Sequence, residues 1–135
     1  MNVQIFSDLH ISVNNKIPYI TPTADYLILA GDTGKLGDKK FMKFIKYVNS
    51  KWKKIIYILG NHEAYHKKYT IYELIKLYRA FFKKFKNIVF LEDETYELED
   101  YLIVGSTLWT DPSSIKPFHR PILFKSKKNI PEWNL

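Results

Sequence analysis

The sequence predicts an α/β fold. Short apolar runs of strand length alternate with longer segments whose apolar residues recur at helical spacing. Three of the runs lead directly into polar clusters: Ser7-Asp8-Leu9-His10, Gly31-Asp32 and Gly60-Asn61-His62-Glu63. Open α/β sheets gather their sites at the carboxyl ends of strands, so three clusters in that position point to one shared site.

The elements follow in order. Residues 2–6 read as the first strand, and residues 14–23, with Pro18 and Pro22, as a loop. Residues 26–30 form the second strand. Residues 38–52 place Phe41, Ile45, Val48 and Trp52 on one side and Lys39, Lys43, Lys46 and Lys53 on the other, the spacing of an amphipathic helix. Residues 54–59 make the third strand, expected to run parallel to the second.

Residues 70–86 carry the clearest helix. Thr70 and Glu73 fit a capping box, and Ile71, Leu74, Ile75, Tyr78, Phe81, Phe82 and Phe85 form its apolar stripe. Asn87 fits a helix stop. Residues 88–91 read as a short strand, and Glu99-Asp100 as the two-residue turn of a hairpin between 96–98 and 101–104. Beyond Gly105, Pro112, Pro117, Pro121 and Pro131 interrupt the pattern.

A chain of 135 residues is one domain, here taken as residues 1–135. Such a chain buries roughly two-thirds of its unfolded surface, and the apolar content excludes a disordered protein. The absence of cysteine excludes disulfides and thiolate metal sites. No signal peptide fits before the first strand, and no run reaches the roughly 20 apolar residues of a membrane span. A soluble cytoplasmic protein with no membrane partner is the expectation.

The net charge of +7 is uneven. Residues 38–86 hold fourteen Lys and Arg against three acids, while residues 92–100 hold six acids and no base. A basic face of this kind suits a phosphorylated or nucleic-acid partner, though lysines also solvate the outer faces of amphipathic helices.

The clusters have the chemistry of a metal site. Asp8 and His10, one residue apart, point the same way if the backbone is extended. Asp32 adds a carboxylate from a neighbouring strand end, Asn61 an amide oxygen, and His62 a proton donor or a further ligand. Mixed oxygen and imidazole donors suit Mn, Fe or Zn. A carboxylate bridging two such ions permits water activation and in-line attack on a phosphoryl group.

These clusters resemble the D-x-H, G-D and G-N-H-[DE] motifs of the calcineurin-like metallophosphoesterases, in the same order. Residues 104–109, Val-Gly-Ser-Thr-Leu-Trp, resemble a strand and turn of some bacterial-type members. The resemblance implies a layered α/β sandwich with a mixed sheet and helices outside. It implies that Asp8 and His10 bind a first metal, that Asp32 bridges, and that Asn61 binds a second. His62 is then the acid that assists the leaving group, and Glu63 supports it without ligating.

The family's later G-H and G-H-x-H motifs are absent from the chain. After His66 the only histidine is His119, read as a surface or crevice residue. The chain therefore reads as the front half of the family domain, truncated on its C-terminal side. The implied function is hydrolysis of a phosphomonoester or phosphodiester, with two divalent metals in the family and as few as one here. The alternative is a non-catalytic or single-metal remnant acting as a binding protein, with dimerisation through exposed apolar surface. His62-Glu63-Ala64-Tyr65-His66 also matches the zinc-peptidase signature H-E-x-x-H, which needs both histidines on one helical face. Trp52, Trp109 and Trp133 read as core or lid residues, and Arg120, Lys125, Lys127 and Lys128 as a solvated tail.

Overall fold

Parallel strand pairing organises the molecule. The computed structural model describes residues 1–14 and 16–109. Its elements are β1 (Val3–Phe6), β2 (Tyr26–Ala30), α1 (Lys39–Asn49), β3 (Lys54–Ile58), α2 (Asn61–Ala64), α3 (Ile71–Phe82), β4 (Ile88–Leu91), β5 (Glu94–Leu98) and β6 (Tyr101–Gly105). His119, Trp133 and the tail residues 120–128 lie outside the described residues.

Strands β1 to β4 form one parallel sheet in sequence order. All four therefore end on the same edge, and the three polar clusters meet there. The mixed character expected of the sheet resolves into two sheets, because β5 and β6 pair antiparallel in a separate hairpin. Leu98 faces Tyr101 across the Glu99-Asp100 turn, as predicted, and Glu99 adopts φ +53°.

Every second residue of β2, β3 and β4 feeds the core. Leu27, Leu29, Ile55, Tyr57, Ile88 and Phe90 pack against Phe41, Phe44, Ile45 and Val48 of α1 and against Tyr78, Phe81 and Phe82 of α3. The rings of Tyr57 and Phe82 lie 4.4 Å apart, and Phe41 meets Tyr57 edge-on at 6.1 Å. Trp52 is buried in this core.

The hairpin covers part of the opposite sheet face. Gly105 lies against Leu91 and Ile58, Tyr26 donates a hydrogen bond to Glu99, and Lys54 Nζ sits 5.9 Å from the centre of the Tyr96 ring. Arg79 of α3 pairs with Glu94 at 2.7 Å and ties the hairpin to the helix layer.

Local signals set the helix ends. Asp38 Oδ1 accepts from Lys40 N and Phe41 N at 2.7 and 3.0 Å, which starts α1 one residue later than the spacing alone suggests. At α3 the Thr70 hydroxyl accepts from Glu73 N, and Glu73 Oε2 accepts from Thr70 N at 2.8 Å. That backbone N–H holds the Glu73 carboxyl below its ordinary range. α3 stops at Phe82 rather than Lys86, and Phe85 N turns back to Phe82 O. α1 likewise closes at Asn49.

The largest difference from the sequence reading is at 60–64. A one-turn helix stands at Asn61–Ala64, where the sequence reading assigns no element, since four residues are too few for a periodic pattern to register. Among the described residues no helix is long and apolar enough to cross a membrane.

Phe41 is fully buried between the sheet and α3. Phe41→Ala should cost about 3–5 kcal/mol, read as a lower midpoint in urea unfolding. Thr70→Ala removes one cap and should cost only about 1 kcal/mol in the same assay.

Candidate metal centre

Two of the polar clusters continue the sheet's pairing after the strands themselves have ended. Asp8 N donates to Gly31 O at 3.1 Å, His10 N to Asp32 O at 2.8 Å, and Ile11 N to Thr33 O at 2.9 Å. The two chain segments are thus zipped together as they leave the sheet.

The zipper imposes an unusual backbone. Asp8, His10 and Asp32 have φ of +56°, +44° and +51°. This corrects the extended geometry expected for the first cluster. The left-handed region disfavours side chains with a β-carbon, and each such residue costs on the order of 1 kcal/mol or more. Gly31, at φ +87°, makes the sharp turn between them without that cost.

The result brings donor atoms together. A ring nitrogen of His10, a ring nitrogen of His62 and a carboxylate oxygen of Asp32 lie within 4.8 Å of one another. The His10 and His62 rings meet edge-on at 4.6 Å. Asp8 Oδ1 is 3.8 Å from His10 Nε2, at the exposed rim of the group. Asn61 donates from its amide nitrogen to the Tyr65 hydroxyl, which leaves its oxygen as a candidate donor atom. The set is two imidazoles with carboxylate and amide oxygens, which fits a borderline divalent ion and matches no thiolate site.

Asp32 is 9% exposed, and its Oδ1 accepts from His62 N at 2.9 Å. That bond fixes the carboxylate against the first turn of α2. Gly60 makes the approach possible: a β-carbon there would stand 2.1 Å from Asp32 Oδ1.

Glu63 does the structural work beneath these ligands. It is 2% exposed, and its two oxygens gather the site's loops. Oε2 accepts from Asp32 N at 3.0 Å and Gly60 N at 2.8 Å, and Oε1 from Gly34 N at 3.0 Å and Tyr57 Oη at 3.3 Å. Burial pushes the Glu63 carboxyl above its ordinary range, while the N–H groups of Gly34 and Gly60 pull it back. Tyr78 Oη, its own ionisation suppressed by burial, donates to Gly34 O and accepts from Leu36 N.

These bonds settle the peptidase motif. α2 ends at Ala64, before His66, and His66 Nδ1 accepts from Lys68 N and Tyr69 N in a turn. Glu63, the base in that chemistry, is spent on backbone N–H groups. The geometry that H-E-x-x-H requires is not formed.

A cleft of about 600 Å³ opens over the strand ends. Asp8, Asp32, Asn61 and Tyr65 line it, and so do residues 106–109. Trp109 is among them, which makes it a cleft residue rather than a core residue. Sequence reasoning gives Glu63 a supporting role but misses its burial and its four hydrogen-bond donors, although its position three residues after Gly60 is the N3 spacing of a helix start.

The family model for calcineurin-like phosphoesterases matches residues 1–130. The chain belongs to that family. An uncharacterised protein of Acanthamoeba polyphaga mimivirus, L509, is 38% identical over 97 residues, which is 70% of this chain and 35% of L509. The crystal structure of phosphopantetheinyl hydrolase (PptH) from Mycobacterium tuberculosis superposes with a TM-score of 0.70 at 18% identity, covering 95% of this chain and 51% of that one. The chain thus spans about half of the solved hydrolase chain it matches and about a third of the viral relative. The family is metal-dependent, and the His10, Asp32 and His62 group lies where its motifs stand.

Two substitutions test this scaffold. Glu63→Ala leaves buried N–H groups without acceptors and should cost about 3 kcal/mol or more in urea unfolding. Gly60→Ala should displace the Asp32 carboxylate and weaken any divalent-cation binding at this centre, measured by titration calorimetry.

Proposed function

We propose that this chain holds the metal centre of a phosphoesterase that hydrolyses a phosphomonoester or phosphodiester. The convergence of His10, Asp32 and His62 at the sheet's carboxyl edge carries the reading. Membership of the calcineurin-like family supports it, and so does a shared fold with a hydrolase named for the phosphopantetheinyl group.

In this reading Asp8, His10 and Asp32 would hold one divalent ion, and Asp32 and Asn61 a second. Bound there, they would supply an activated water and neutralise the phosphoryl oxygens. Asp32 presents a carboxylate already fixed by His62 N, so little reorganisation is needed. His62 donates the proton that the leaving alkoxide takes up. Lys35 Nζ donates to Tyr65 O at 2.7 Å and holds the end of the α2 turn on which both Asn61 and His62 ride.

The assay is hydrolysis of bis(p-nitrophenyl) phosphate and p-nitrophenyl phosphate by the Mn²⁺-loaded chain. Asp32→Asn should lower kcat/KM by about 100-fold or more. Activity retained in that variant would overturn the two-metal reading.

The same three residues favour a second reading, in which His10, Asp32 and His62 themselves ligate a single ion. His62→Asn separates the two. As an acid, its loss leaves Mn²⁺ affinity within about twofold and lowers kcat by roughly 100-fold. As a ligand, its loss weakens Mn²⁺ binding by about tenfold or more, measured by calorimetry.

A further inference from the structure

The cleft is lined by the polar residues Asp8, Asp32 and Asn61 together with Ile58, Leu108 and Trp109. A phosphate group alone fills only a small part of about 600 Å³. The rest of the space is available to whatever the phosphate is attached to.

The 106–109 turn is built rather than loose. Ser106 Oγ donates to Asp93 Oδ1 at 2.6 Å, and Thr107 Oγ1 donates to Glu92 Oε2 at 2.8 Å. Both carboxylates lie in the short connection between β4 and β5, so the turn is anchored to the same sheet edge that carries the metal ligands. Anchoring holds Leu108 at φ +52°, a conformation that a leucine adopts only under constraint. Its side chain is nonetheless 85% exposed, and the neighbouring Trp109 is 37% exposed. Core packing therefore does not account for the strain, since the strained residue contributes almost nothing to the core.

We propose that residues 106–109 form a leaving-group wall, with Leu108 and Trp109 receiving an aromatic ring on the alcohol side of the phosphate ester. Trp109 and Tyr65 line the same cleft. Two aromatic side chains suit a planar ring better than a small hydrated alcohol. The wall rests on the phosphoesterase reading, because it assumes a phosphoryl group held beside Asp8, Asp32 and Asn61.

Titration calorimetry of the full chain loaded with Mn²⁺ tests it, using phenylphosphonate and methylphosphonate, which cannot be hydrolysed. The phenyl compound should bind about tenfold more tightly. Trp109→Ala should reduce that ratio to about twofold or less. Leu108→Gly, which relaxes the positive φ while removing the side chain, should also reduce it and guards against misfolding of a single variant. Equal affinity of the two phosphonates, or a phenyl preference that survives both substitutions, would overturn the wall and leave the phosphoesterase reading standing. Mn²⁺ binding without binding of either phosphonate would overturn both.

Discussion

A single buried carboxylate ties the site to the fold. Glu63 reaches the backbone of Asp32, Gly34 and Gly60, so one side chain joins the loop after β2 to the loop after β3. An ionised group in the interior is unfavourable unless every oxygen is satisfied, and here each accepts two hydrogen bonds. Tyr57 completes the set from within β3 itself, and Tyr78 braces Gly34 from α3. The helix layer, the central strand and both ligand loops thus share one polar knot. Shifting any one of them would strand a buried donor.

Strain in the ligand loops makes sense against that background. Three of the candidate ligands sit at positive φ, and the bonds between the Asp8–Ile11 and Gly31–Thr33 segments keep them there. Their side chains are aimed before any cation arrives. An ion bound there would gain from donor groups whose conformational freedom folding has already removed. The order of cause runs from sheet to loop to donor atom.

Much of this was readable in the residues, and what was readable was local or periodic. The strands announce themselves as apolar runs, and Thr70 with Glu73 marks a helix start because the capping contacts span only three residues. The resemblance to a known family placed the clusters in one site. Three features escaped. The positive φ at Asp8 and His10 is imposed by carbonyls more than twenty positions away, which no local propensity encodes. The α2 turn is too short for periodicity. The division into two sheets depends on how the hairpin packs on Leu91 and Ile58, a tertiary choice to which alternation within a strand is blind.

The all-parallel sheet has a consequence for the order of events. Neighbouring parallel strands are never joined by a tight turn, so each pairing closes a long loop before it yields contact energy. His10, Asp32 and His62 are therefore strangers in the unfolded chain and become neighbours only when β1, β2 and β3 are aligned. A cation held between His10 and Asp32 would recognise the assembled sheet and not its pieces. By mass action it would shift the equilibrium toward the native state, so such an ion would act as a thermodynamic latch on the topology itself.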